Sequence, residues 1–111
     1  MNILNTKSRL KTAIDLLNKE IEKHYKNEPA EGHLEQLVRF RDCFLDALNK
    51  VENNTLPPPS NRQLGIAHTV VDSWSIKSKL GEFLINAEHA YKMCKKETFE
   101  IVNSEKKEMG L

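Results

Sequence analysis

The stretch that decides the fold lies in the middle of the chain and reads PPPSNRQLGIAHTVVDSW, residues 57–74. The three consecutive prolines cannot continue a helix, because proline lacks a backbone N–H and pushes the residue before it toward extended conformations. We therefore predict that one helix ends before the prolines. Ser60 or Asn61 then caps a new helix, over about residues 61–73. This third helix leads directly into Trp74, the single tryptophan of the chain.

Apolar residues recur with helical spacing on both sides of this stretch. A first helix is predicted over about residues 5–25. Its narrow apolar seam consists of Leu10, Ala13, Ile14, Leu17 and Ile21. A second helix is predicted from near Pro29 to the asparagines at 53 and 54, and a last one over about 78–104. The predicted fold is all-α: a four-helix bundle-like single domain over residues 1–111. It has a proline-rich hinge between helices two and three, a long C-terminal helix and a frayed tail over 105–111.

Composition limits the classes of function. The chain has 111 residues, with 17 basic and 16 acidic side chains and a net charge of +1. Such balance argues against a nucleic-acid partner, since non-specific binding needs a clustered cationic face. The start turns polar too soon for a signal peptide, and no run approaches the roughly 18 apolar residues of a membrane span. We therefore expect a cytoplasmic protein without a membrane partner.

Sequence signatures of cofactor, metal or nucleophile chemistry are missing. The chain has no phosphate-binding glycine loop and no nucleophile elbow. Two cysteines make no zinc site, and the four histidines are scattered over the predicted helices. We therefore expect no cofactor, no metal and no catalytic residue.

A row of carboxylates on the second predicted helix is the first candidate for a binding surface. Glu31, Glu35, Asp42 and Asp46 fall on one side of that helix, away from its apolar face. Aligned carboxylates favour fast association with a cationic protein surface. The alternative is a solvated helix face on which Arg39 bridges Glu35 and Asp42.

Apolar residues that miss the core-facing positions are a second candidate. They are Phe40, Ile66, Phe99 and Trp74. Exposed aromatic side chains that gather in space mark protein interfaces, where tryptophan, tyrosine and arginine supply most of the binding energy. The alternative is that these residues add to the core against a neighbouring helix.

Arg62 and His68 are a third candidate. Their spacing resembles the arginine–histidine pair of all-α RNases of the HEPN class (higher eukaryote and prokaryote nucleotide-binding), although Gln63 replaces the asparagine or histidine common after that arginine. In the structural alternative, Arg62 covers a helix end. His68 then lies at the edge of the core, paired with Asp72 four residues later.

The segment 61–91 also resembles a group of small helical bacterial immunity proteins. The likeness lies in QLGIAHTVVDSW (63–74), SKLGEFL (78–84) and AEHAY (87–91). In that group a helix of the form Leu/Ile-Gly-x-x-Ala precedes an aspartate-containing turn and a long final helix; here the alanine after Leu64-Gly65 comes one position earlier, at Ala67. These proteins belong to type VI secretion and contact-dependent growth inhibition systems. The resemblance implies a non-enzymatic cytoplasmic antidote, monomeric or homodimeric when free, that neutralises a cognate toxin domain.

The toxin implied by this resemblance is a nuclease or a nucleotide-targeting enzyme. We expect it to meet the carboxylate row together with Phe40, and a second patch formed by Asp72 and Trp74. Charge reversal at Asp42 and Asp46 is then expected to weaken toxin binding without unfolding the protein. Two alternatives remain open: the RNase, and a structural adaptor or secretion chaperone that uses helix one or the end of helix four in a partner bundle.

Overall fold

The structure, a computed structural model, describes residues 3–74 and 77–94. These residues form four α-helices and one 3₁₀ turn: α1 (Ile3–Tyr25), α2 (Leu34–Glu52), the 3₁₀ turn (Pro59–Asn61), α3 (Ile66–Ser73) and α4 (Lys79–Lys92). No strand occurs in this part of the chain, so the predicted all-α fold with four helices is confirmed. Over the same residues, no helix combines the length and the apolar content needed to cross a bilayer.

The first helix is the centre of the packing. α1 contacts both α2 and α4, while the short α3 packs against α4. The predicted seam of α1 is buried in full, since its five residues, Leu10, Ala13, Ile14, Leu17 and Ile21, are at most 7% exposed. They meet a core from the other elements that includes Leu37, Phe44, Ala47, Leu84, Ala87 and Tyr91. The narrow apolar pattern of α1 therefore identified the surface around which the other helices assemble.

The second helix begins five residues later than predicted, at Leu34 instead of near Pro29. The cause is Gly32, whose φ of +76° belongs to the left-handed region and cannot continue a right-handed helix. His24 Nε2 lies 3.1 Å from the carbonyl oxygen of Gly32 and ties this connection to the end of α1. Glu31 therefore lies in the connection and not on the helix, which corrects its assignment to the carboxylate row.

The third helix also begins later, at Ile66. Ser60 and Asn61 belong to the 3₁₀ turn, so the prediction that one of them caps the helix is wrong. The cap position is Gly65 with a φ of +81°, and no side chain of the preceding segment bonds the first helical amides. The carboxylate of Glu88, a residue of α4, instead accepts hydrogen bonds from the backbone N–H groups of Gly65 and Ala67.

The fourth helix ends at Lys92, well before the predicted Ser104. The guanidinium of Arg62 donates to the carbonyl oxygens of Tyr91, Lys92 and Cys94, groups that a continuing helix would use internally. The rest of the predicted helix, Phe99 and the predicted tail over 105–111 lie outside the described residues.

Several apolar side chains lie on the opposite side from the one predicted. Phe40 and Ile66, expected to miss the core, are completely buried. Val71 and Phe83 recur at helical spacing with the apolar residues of their own segments, which predicts burial, and yet they are 71% and 48% exposed. Which side of a helix is buried depends on the neighbours that pack against it, and a helical pattern read from one segment alone does not identify them.

Candidate protein-binding surface

Trp74 connects the end of α3 to α2. Its backbone is extended (φ −101°, ψ 161°), which turns the chain away from the helix. The indole Nε1–H donates a 2.8 Å hydrogen bond to Oε1 of Gln36. The indole also faces the buried ring of Phe40, with ring centroids 6.1 Å apart and planes inclined by 37°. Trp74 is therefore only partly buried and yet fixed in orientation.

Trp74 lines a groove between α3 and α4 that has a volume of about 720 Å³. Its apolar lining comes from Val70, Val71 and Ile85, and its polar rim includes Lys79 and Glu82. Val71 is the most exposed apolar residue of this lining. A cleft with an apolar floor and a polar rim has the anatomy of a small protein-binding surface.

Trp74 also lines a second depression, of about 440 Å³. Its remaining lining residues are Glu31, Gly32, His33, Gln36 and Ser73. Trp74 is thus the wall shared by the two depressions, which we together call the Trp74 surface. It brings Glu31 beside Trp74, although the sequence pattern placed these residues in two separate patches.

The other carboxylates of the predicted row, Glu35, Asp42 and Asp46, lie on α2. We call the side of the helix that carries them its outer face. Asp46 Oδ2 is 3.0 Å from Nζ of Lys50, and Asp42 Oδ1 is 3.4 Å from Nη2 of Arg41. The hydrogen bond from Lys50 to Asp46 raises the pKa of the lysine above its ordinary value. The acidic charge is therefore largely balanced by side chains of the same helix.

Arg39 does not bridge Glu35 and Asp42 as the alternative predicted. Its guanidinium lies 5.2 Å from the ring centroid of Phe40. Phe40 itself is buried below this arginine and offers no surface to a partner, which corrects its place among the predicted binding residues.

Asp72 lies on the exposed side of α3, two residues before Trp74. Its Oδ2 is 3.1 Å from Nε2 of His68, so the predicted pairing is confirmed. Both side chains are largely in solvent, 60% exposed for Asp72 and 78% for His68. His68 is therefore not at the edge of the core, where the structural alternative placed it.

Arg62 has a structural position. The residue is 3% exposed, and its guanidinium donates to the Pro57 carbonyl at 2.8 Å and to the Cys94 carbonyl at 2.6 Å, besides the two other carbonyls at the end of α4. The prediction that it covers a helix end is confirmed. Arg62 and His68 thus have different surroundings, one enclosed by backbone oxygens and one in water.

Glu88 is a buried polar residue that the sequence pattern did not identify. It is 2% exposed and accepts hydrogen bonds from the backbone N–H groups of Leu64, Gly65 and Ala67. A signal was available, because Glu88 follows Leu84 by four residues and precedes Tyr91 by three, and both are core residues of α4. A carboxylate in such a position must find donors inside the protein.

Nucleophile and metal chemistry find little support in the described part of the chain. Burial raises the pKa of the Cys43 thiol, which lowers the fraction of reactive thiolate. Among residues 3–74 and 77–94, no three His, Cys, Asp or Glu side chains are grouped so that they could hold a metal ion.

No protein-family model matches the chain, and no curated protein matches its sequence.

Proposed function

We propose that this chain is an immunity protein that binds a cognate secreted toxin domain through the Trp74 surface and thereby neutralises it. The toxin in this proposal is a nuclease or a nucleotide-targeting enzyme, as the resemblance of segment 61–91 implies. Inhibition requires no chemistry of the chain itself, only a complementary surface that covers the toxin or blocks its substrate.

The Trp74 surface is the observation that carries this proposal. Tryptophan is enriched among residues whose truncation costs most at protein interfaces, especially where it is held beside an apolar pocket. Gln36 and Phe40 hold the indole before any partner arrives, so little side-chain freedom is lost on binding. The groove beside it offers Val71 as exposed apolar area.

The segment that resembles immunity proteins builds this surface. Within residues 61–91, α3 forms one wall of the groove and the first half of α4 forms the other. Asp72, which we expected to bind the toxin, lies on α3 beside the groove residue Val71. Glu31 joins from the connection between α1 and α2. The resemblance and the geometry therefore favour the same region of the molecule.

The RNase alternative is less favoured by the geometry. It needs the guanidinium of Arg62 at a phosphate, but that group already donates to four backbone carbonyls and is almost inaccessible. A phosphate could reach it only if the end of α4 moved. Binding through the Trp74 surface requires no such rearrangement.

The test is co-expression with the protein encoded by the adjacent gene, with complex formation and growth of the host cells as readouts. We expect a one-to-one complex and rescue of growth. The variant Val71→Arg places a long charged side chain in the groove and is expected to weaken the complex by about tenfold or more, because burying an unpaired charge is costly.

The matched control is Leu4→Arg. Leu4 is 77% exposed and belongs to the first turn of α1, beside the end of α4 that is remote from the groove. The two variants make comparable changes to an exposed aliphatic residue of a helix, so both should stay folded and only Val71→Arg should lose the partner. Absence of any complex and of any rescue would remove the immunity proposal, and equal behaviour of the two variants would remove the groove from it.

A further inference from the structure

The attachment of α3 differs from that of the other helices. α3 has eight residues, of which only Ile66 and Val70 are buried. A helix of this length is unstable on its own, because isolated helices shorter than about 12 residues are marginal in water. Its cap residue Gly65 provides no side chain for the first amides. Its stability must therefore come from the groups that hold it to α4.

The first of these groups is the carboxylate of Glu88. Oε2 accepts from the N–H of Leu64 at 2.7 Å and of Gly65 at 3.1 Å, and Oε1 accepts from the N–H of Ala67 at 2.7 Å. These amides lie at the N-terminal end of α3, where backbone N–H groups lack helical partners and a negative charge is favourable. The N-terminal cap of α3 is thus supplied by another helix.

The second group is the guanidinium of Arg62, which connects the segment before α3 to the end of α4. Arg62 precedes α3, and its guanidinium bonds the carbonyls that end α4. A cation is favourable at that end of a helix for the same electrostatic reason. Each of the two segments therefore provides the buried charge that completes the end of the other.

The remaining helices do not depend on α3 for their mutual contacts. α1 packs against α2 and α4 directly, while α3 makes its main helix contact with α4. Trp74 adds one further attachment, to α2 through Gln36. Ile66 and Val70 belong to the shared buried cluster, so loss of the α3 attachment would uncover part of the core, while the direct contacts of α1 with α2 and α4 would remain.

We propose that residues 62–74 form a conformational latch: a segment that opens as a unit from the body made by α1, α2 and α4, and that the charge of Glu88 keeps closed. Local opening of this kind occurs where few buried apolar residues hold a segment. Opening exposes Ile66 and Val70 and removes one wall of the groove, so the groove exists only in the closed form. A partner bound there would oppose opening; that consequence rests on the proposed function, whereas the latch does not.

Amide hydrogen exchange, resolved by residue, tests the latch in the wild-type protein. We expect the amides of α3 and of Leu64 and Gly65 to exchange through an opening that occurs more often than the opening of α1 and α2. Equal protection of α3 and of the α1 core would overturn the proposal, because α3 would then open only with the whole protein. This arm needs no variant and no partner.

The variant Glu88→Gln tests the role of the charge. Glutamine keeps the shape but has one acceptor oxygen instead of two, so at least one of the three amides loses its partner. We expect exchange in α3 to become faster by about tenfold or more, with α1 and α2 protected as before. Glu52→Gln is the control, since Glu52 is exposed in the last turn of α2, and it should change neither region.

The outcomes separate the parts of the proposal. Unchanged exchange in α3 of Glu88→Gln would exclude the charge as the fastening, and a parallel loss of protection in every helix would exclude independent opening. Neither result depends on a toxin. Failure of the latch therefore leaves the proposed function standing, and failure of the toxin-binding test leaves the latch standing.

Discussion

The outer face of α2 and the Trp74 surface were both expected to bind a partner, and they differ in how they are built. The face of α2 comes from one helix, and its aspartates are paired with Arg41 and Lys50 of the same helix. The Trp74 surface comes from four separate segments: the connection before α2, the first turn of α2, α3 with the Trp74 that follows it, and the start of α4. One is a convex, charge-balanced face, and the other is concave and partly apolar.

This difference follows from the kind of surface that a single helix can form. Side chains three or four residues apart on a helix are neighbours, so opposite charges pair locally and are screened by water. A cleft requires walls from elements that are distant in sequence. Because desolvated pockets at an interface carry more binding energy than rim charges do, we expect the Trp74 surface to dominate.

The largest expected effect is that of Trp74→Ala. Removing the indole deletes the wall shared by both depressions, together with the contact to Phe40 and the hydrogen bond to Gln36. We expect partner affinity to fall by about a hundredfold or more, on the order of 3 kcal/mol. Calorimetric titration measures the loss.

Trp74→Phe is the companion variant, since it keeps an aromatic ring in the wall and removes the Nε1 donor together with part of the ring area. It should lose less affinity than the alanine variant does. A folded Trp74→Ala protein with wild-type affinity would show that the Trp74 surface does not bind the partner.

The next effect concerns stability and uses two glycines with the same kind of backbone. Gly32 and Gly65 both have positive φ, so alanine is strained at each by about 1–2 kcal/mol. At Gly32 a Cβ atom would also lie 2.9 Å from Cζ2 of Trp74, whereas at Gly65 nothing lies within 4 Å. We expect Gly32→Ala to destabilise the protein by about 1 kcal/mol more than Gly65→Ala does, as urea unfolding would measure.

Partner binding extends this pair of variants to function. Gly32→Ala displaces the indole and should also weaken the complex, while Gly65→Ala should leave the Trp74 surface intact. Equal losses of stability in the two variants would mean that the indole is not held against Gly32.

The smallest expected effect is that of charge reversal on α2. The double variant Asp42→Lys/Asp46→Lys exchanges two exposed, locally paired carboxylates. We expect partner affinity to fall by about threefold or less and the free energy of unfolding to change by about 0.5 kcal/mol or less. Association kinetics at low salt is the most sensitive measurement, because charges at the rim act mainly on the association rate.

This variant can reverse the ranking of the two surfaces. A larger loss of affinity than that of Val71→Arg would return the binding site to the outer face of α2. A loss that disappears in high salt would assign the aspartates to steering of the encounter.

Much of the fold could be predicted from local patterns, but little of the site could. The seam of α1 and the break at the prolines depend on side chains and backbone restrictions within one segment. The start of α2 depends on Gly32, which has a left-handed backbone and, lacking a Cβ atom, leaves room for an indole 42 residues further along the chain. The start of α3 depends in the same way on Glu88, a residue of another helix.

Individual site residues show the same division. Trp74 was identified from its residue type and position, and Glu31 was identified for a face on which it does not lie. Phe40 was expected on the surface, but it is buried, with the indole of Trp74 and the guanidinium of Arg39 against its ring. The side of a helix that stays exposed depends on which neighbours reach it, and the hydrophobic pattern of that helix does not identify them.

The sequence by itself determined that this chain forms helices, where the proline break falls, and which side of α1 is buried. Helical periodicity and the lack of a proline N–H act within a few residues and need no partner. The tertiary structure alone decided where α3 begins and where α4 ends, through the buried charges of Glu88 and Arg62. It also decided that Trp74 stands between two depressions, because a cleft and a cap donated by another helix both come from groups that only folding brings together.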